Sequence, residues 1–173
     1  GVLVVGNFVG GDTVVGDRVA GALGARALYP FEGPPYFPFQ RWALRTGGVH
    51  MSPIGPLIDP KFGLWHAYRG ALAFDQRFEV PDPGSHLSPC ESCAEKPCLD
   101  TCPVGAFGPR EDPEAPAPYD IPACVAHISS VDGEDCLGRG CLARRSCPVG
   151  RDYIYGVDQA HFHMRRFLKA QGG

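Results

Sequence analysis

Apolar positions fall in short runs separated by glycine and proline. Residues 2–5, VLVV, are continuously apolar and predict a buried strand. Beyond them Val15, Val19, Ala20 and Leu23 recur at helical intervals, so a helix is expected to end near Gly24. The stretch YPFEGPPYFPF, residues 29–39, holds four prolines. Those prolines forbid regular structure, and the aromatics between them are expected to pack a loop against the core. QRWALR, residues 40–45, fits a short helix stopped by Gly47 and Gly48. Residues 55–74, GPLIDPKFGLWHAYRGALAF, read as two strands around a turn at 59–63. A proline-rich break, VPDPGSHLSP at 80–89, divides the chain into an N-terminal segment, 1–80, and a second region, 81–173. The last helical pattern places Ala160, Met164, Phe167 and Leu168 on one face, with Asp158 able to cap its start and Gly172 after its end. That helix is expected to lie as a lid, with His161 and His163 off the apolar face and exposed.

Composition narrows the classes. At 173 residues and 44% hydrophobic content the chain can bury a core as one domain or two small ones. A net charge of −3 leaves no basic footprint for nucleic acid and no polybasic membrane patch. The longest apolar stretches are far too short to span a bilayer, and no charged start with an apolar run marks a secretion signal. A cytoplasmic protein is therefore expected. Glycine and proline contribute 23 and 18 residues, which predicts many ordered loops that something must fix. No GxGxxG or Walker pattern supports nucleotide binding, and no nucleophile–base order can be argued.

The eight cysteines all follow the proline-rich break. They are Cys90, Cys93, Cys98, Cys102, Cys124, Cys136, Cys141 and Cys147. The first block reads C-x2-C-x4-C-x3-C-P and the second C-x11-C-x4-C-x5-C-P. Disulfides are permitted by the even count, although a chain of this size without a secretion signal has little need of them. Two closed zinc sites would need four thiolates each, and His86 and His127 lie near the clusters. Two iron–sulfur cubanes would consume eight thiolates with none left over. The prolines favour the last reading. In two-cluster bacterial ferredoxins the cysteine before the proline ligates the other cluster, and here both Cys102 and Cys147 carry that proline within the repeated CPVG. Zinc and disulfides remain the alternatives.

With its cysteines laid out, the chain resembles the iron–sulfur half of the epoxyqueuosine reductase family, a two-cubane ferredoxin module with a lone cysteine between its motifs. PACVAHIS looks like that element, with Cys124 as the lone cysteine. GPLIDPKFGLWHAYRGALAF is similar to the hairpin leading from the family's nitroreductase-like domain into the module, and the likeness covers residues 55–150. The resemblance implies one [4Fe-4S] cluster on Cys90, Cys93, Cys98 and Cys147, and a second on Cys102, Cys124, Cys136 and Cys141. The spacing departs from the family, with x4 for x2 before Cys98 and x4 and x5 for x2 and x3 in the last block, so those loops are expected to bulge. The family enzyme binds cobalamin in a large N-terminal domain with an aspartate proton donor. Upstream of the hairpin this chain offers residues 1–54, and the matching stretch has Glu32 as its only acid, which argues against cobalamin.

The remaining candidates carry two readings each. Arg144 and Arg145 either offset cluster charge or sit solvated at the surface. His86 and His127 either tune the site or serve structure. Trp65, His66 and Tyr68 either line a cofactor cleft or fill the core, as hairpin aromatics more often do. The expected architecture is α+β: a small N-terminal α/β segment, similar to a truncated nitroreductase-like domain, beside a loop-rich helical two-cluster module. The expected function is electron transfer to a redox partner protein. A reductase with a corrinoid or other redox cofactor and a structural two-zinc protein are the alternatives.

Overall fold

The computed structural model describes residues 3–6, 13–79 and 87–172. Val2, His86 and most of the proline-rich break lie outside them. The class is mixed, with short antiparallel strands and many short helices. Among the described residues, no helix is long and apolar enough to cross a membrane. The chain forms two compact units, Gly1–Val49 with His66–His86, and His50–Trp65 with Leu87–Gly173.

In the first unit, β1 (Leu3–Gly6), β5 (Gly70–Ala73) and β2 (Arg26–Leu28) form an antiparallel sheet with β5 in the centre. Leu3 pairs with Ala73, and Leu28 with Ala71. The central strand reads GALA, and its first three residues are buried. Helix α1 (Thr13–Leu23) is tied down by Tyr29, whose hydroxyl donates to the Thr13 carbonyl at 2.8 Å and to Asp17 Oδ1 at 2.9 Å. Helix α2 (Phe39–Leu44) follows the proline-rich loop. Phe39 packs with Leu28 and Ala71, backed by Phe37, Trp42 and Tyr68. The loop aromatics therefore split: Phe37 and Phe39 join the core, whereas Phe31 and Tyr36 are 64% and 65% exposed.

The predicted hairpin over residues 55–74 does not form. The turn is present: Asp59 and Gly63 exchange both backbone hydrogen bonds, at 2.9 and 2.8 Å, and Asp59 Oδ1 accepts from the amides of Lys61 and Phe62. The strands flanking it pair elsewhere. β4 (Leu57–Ile58) pairs with β3 (His50–Met51), and β5 is occupied on both edges by β1 and β2. Periodicity identified extended segments but carried no information on their partners. The division expected near residue 80 is likewise crossed, because residues 50–65 belong with the cysteine-bearing segment.

That second unit is built on Ile54, Ile58, Leu64, Cys98 and Cys147, joined by Cys90, Leu99, Phe107 and Val149. Around it stand α3 (Pro89–Ser92), α4 (Pro97–Asp100), α5 (Ile121–Ile128), α6 (Glu134–Arg139) and α7 (Leu142–Arg145), closed by α8 (Val157–Ala170). α8 packs on α6, where a side chain at Gly140 would meet the Ala160 methyl at 3.4 Å. Its N-cap is Gly156, not Asp158, and Asp158 lies in its first turn.

Both CPVG repeats end on a left-handed glycine, Gly105 at φ 58° and Gly150 at φ 72°. They differ in surroundings. A Cβ at Gly105 meets nothing, whereas one at Gly150 collides with the backbone of Phe62 and Gly63, and one at Gly63 with the Val149 carbonyl. Gly105→Ala is expected to cost about 1–2 kcal/mol, the ordinary penalty of the left-handed region. Gly150→Ala adds a backbone clash and is expected to cost more, read as a larger fall in the urea unfolding midpoint.

Candidate functional site

Short helices deliver the eight cysteines, most of them at or near a helix end and Cys124 in the middle of one. Ser88 caps α3 in a reciprocal box with Glu91, placing Cys90 in the first turn and Cys93 just past the last. Pro97 opens α4 and sets Cys98 beside the core. Asp120 accepts from the Ala123 amide at 2.9 Å and so starts α5, which carries Cys124. Cys136 lies in α6, and Cys141 and Cys147 flank α7. Two of the long spacings contain a residue with positive φ, and the third holds α7. Between Cys93 and Cys98, Lys96 takes the left-handed region at φ 41° and donates through Nζ to the Cys93 carbonyl at 3.1 Å. Between Cys136 and Cys141, Gly140 ends α6 at φ 91°.

All eight cysteines are free thiols, three of them buried. Their pairwise electrostatic effects run within the two groups that the resemblance implies. Cys147, Cys90 and Cys93 each oppose ionisation of Cys98, and Cys147 and Cys93 act in the same way on Cys90. Cys102 and Cys136 act on Cys124, and Cys136 and Cys124 on Cys141. Each of these thiol–thiol interactions stays inside its own set. In the second set Cys102, Cys124, Cys136 and Cys141 line one small hollow of about 20 Å³, walled by apolar side chains together with His127 and Tyr119. The thiols surround this space without converging: no group of three or more His, Cys, Asp or Glu side chains among the described residues is gathered closely enough to hold one metal ion.

Burial is the main cause of raised thiol pKa values, at Cys90, Cys98, Cys124, Cys141 and Cys147 alike, and the neighbouring sulfurs add to it. Cys98 is pushed up to about 11. Hydrogen-bond donors pull the other way. The Val149 amide does so at Cys147, and the amides of Arg144 and Ala143 at Cys141. Side-chain hydrogen bonding with Ser88 lowers the Cys90 value and with Tyr119 the Cys124 value, while Ser88 Oγ accepts from the Cys90 amide at 3.3 Å.

Two features of the site were missed in the sequence. Tyr119 carried no signal beyond standing five positions before a cysteine. The second had a visible sign. Each Cys-Pro is preceded by a hydroxyl residue, Thr101 or Ser146, and in the fold Thr101 Oγ1 donates to Ser146 Oγ at 2.8 Å while Ser146 donates to the Ala143 carbonyl. The two repeats are joined to each other directly.

Neither arginine follows its expected reading in full. Arg144 is not a solvated surface residue. Its guanidinium lies 4.5 Å from the Trp65 ring centroid and 4.8 Å from that of Tyr155, and Nε donates to the Leu64 carbonyl at 3.0 Å. Arg145 pairs with Asp135 and donates to the Gly140 carbonyl at 3.0 Å. His163, expected to be exposed, is half-buried and stacks on Tyr155 at 5.2 Å. His161 is half-buried too. Trp65 is core, whereas His66 and Tyr68 meet edge to face in the first unit.

Comparison with protein-family models, curated proteins and solved structures finds no match to this chain.

The thiol shifts fix a pH dependence for the metal-free, reduced chain. Cys98 keeps its proton in the folded state up to about pH 11, against an ordinary thiol value of 9.0. Between those values the folded state binds more protons than the unfolded one, so stability falls as pH rises. Denaturant midpoints measured under reductant are expected to drop between about pH 9 and about pH 11, and the drop is expected to shrink in Cys98→Ala.

Proposed function

We propose that the protein transfers electrons through two [4Fe-4S] clusters, one held by Cys90, Cys93, Cys98 and Cys147 and the other by Cys102, Cys124, Cys136 and Cys141. The observation that carries this reading is the hollow lined by four thiols drawn from distant parts of the chain. A single zinc ion calls its four sulfurs to one point at about 2.3 Å. A cubane takes one thiolate at each of four separate irons, so its ligands stand apart around a space. The all-thiol donor set suits the larger group. The likeness of the cysteine motifs to the iron–sulfur half of the epoxyqueuosine reductases points the same way.

When bound, such a cluster accepts and releases one electron. The chain supplies the rest. Thiols that resist ionisation alone become thiolates against the positive irons. Amide donors at Cys102, Cys141 and Cys147 spread the sulfur charge and favour the reduced state. Burial keeps water from Cys98, Cys136 and Cys147. Cys98 and Cys102 sit at opposite ends of one short helical turn and serve different sets, as Cys141 and Cys147 do across α7, so two centres are held close by a few residues of backbone. A separate redox protein is the partner this function needs.

Anaerobic quantification is expected to give about eight irons and about eight acid-labile sulfides per chain. Two zinc ions per chain without sulfide would end the proposal. Cys102→Ala and Cys147→Ala are each expected to damage a different centre and to leave distinct residual EPR spectra; identical residual spectra would remove the assignment of ligands to sets.

A further inference from the structure

The last helix, α8, has two faces of opposite character. Ala160, Met164 and Phe167, at i, i+4 and i+7, lie on the inner one. Ala160 is buried, and Met164 lines the hollow of the second set. Phe167 stacks at 6.3 Å on Tyr119, which forms a small antiparallel bridge with Phe107. Phe162, Arg165, Arg166 and Lys169, at i, i+3, i+4 and i+7, share the opposite face and are all exposed. Phe162 keeps 50% of its surface in solvent, with the Arg166 guanidinium 5.2 Å from its ring centroid. Among the described residues, no carboxylate pairs with any of these three cations.

From Gln159 to Gly173 the sequence holds three Lys or Arg and no Asp or Glu, in a chain whose net charge is −3. Lys169, in the last turn, answers the partial negative charge of the helix C-terminus. Arg165 and Arg166 stand before that turn, where the helix end no longer explains them. An exposed aromatic ring beside arginines is a composition that protein interfaces favour. Its position gives it a use. The width of α8, roughly 10 Å, separates this face from the hollow, a span that an electron can tunnel across. We propose that the outer face of α8 is the docking surface for the redox partner, and that the partner presents an acidic surface to it. This rests on the iron–sulfur reading above. Arg165, Arg166 and Lys169 draw the acidic surface in, and Phe162 seats against its apolar centre. One electron leaves the reduced centre and one is gained by the partner's oxidised group, with no bond made or broken.

The test uses the full chain, loaded anaerobically with iron and sulfide and then reduced. Two oxidants of opposite charge are mixed with it in a stopped-flow cell at low salt: anionic tris(oxalato)cobaltate(III) and cationic hexaamminecobalt(III). In the parent, added salt is expected to slow the anion, and poly-L-glutamate, standing in for an acidic protein face, to inhibit it. Arg165→Gln with Arg166→Gln is expected to react with the anion about tenfold more slowly and to lose the inhibition. Its reaction with the cation is expected to be no slower, at unchanged iron content. Arg18→Gln with Arg41→Gln removes the same charge from exposed positions of the first unit and is expected to match the parent. Equal anion rates in the parent and the Arg165 and Arg166 variant overturn the proposal. Should that variant load poorly, the parent decides alone: an anion rate indifferent to salt and to poly-L-glutamate overturns it. Binding to an RNA oligonucleotide or to anionic lipid vesicles at about 150 mM salt, where poly-L-glutamate does not bind, gives the face to another partner and also overturns it. A chain with zinc and no sulfide overturns the iron–sulfur reading itself, whereas loaded clusters oxidised at rates indifferent to the charge of α8 overturn this inference alone.

Discussion

Four sulfurs drawn together in a water-poor region repel one another as soon as they ionise, and the second unit is organised around that repulsion. Burial and neighbouring thiols push the same way, upward in pKa, and the opposing donors are single amides and hydroxyls. Such a group is content as neutral thiols or as thiolates facing strong positive charge, and poorly served by anything between. The short helices, the left-handed turns and the bridge at Phe107 and Tyr119 all bring acidic groups closer than they would settle unaided.

What holds the sulfurs against that tendency lies mostly outside the cysteine motifs. Ile54, Ile58 and Leu64, from well before the first cysteine, form the apolar floor on which Cys98 and Cys147 rest. Arg144 reaches 80 positions back along the sequence to the Leu64 carbonyl and lies against Trp65 and Tyr155. Gly63 and Gly150 let two backbones touch where no side chain fits. The Thr101–Ser146 hydrogen bond then couples the two repeats, so that displacement of one is felt by the other.

Local chemistry was legible in the sequence and long-range pairing was not. The helix ending near Gly24 and the short helix near residue 40 follow from apolar spacing and glycine stops, and both are present. The turn at 59–63 follows from Asp, Pro and Gly, and it too is present. Its flanking strands were assigned to each other because adjacency was the one guide available, yet β4 and β5 belong to different units. The grouping of cysteines into two sets of four came from resemblance in the motifs; in the fold Cys102, Cys124, Cys136 and Cys141 line one hollow, and Cys98 has Cys90, Cys93 and Cys147 for neighbours. Their donors escaped notice because a phenol five residues upstream, or an amide in a turn, leaves no mark in a spacing pattern. Arg144 was misjudged for a related reason: neither Trp65 nor Tyr155 is near it in sequence.

The interleaving of the two units bears on biosynthesis. A ribosome releases residues 50–65 long before the segment around Val149 and Gly150 that closes over them. Until that tail emerges, Ile54, Ile58 and Leu64 have no lasting cover, and early cysteines wait for late ones. Completion of this unit therefore waits for the segment around Gly150, and a nascent chain stalled before that segment would present bare sulfur and grease to whatever meets it first.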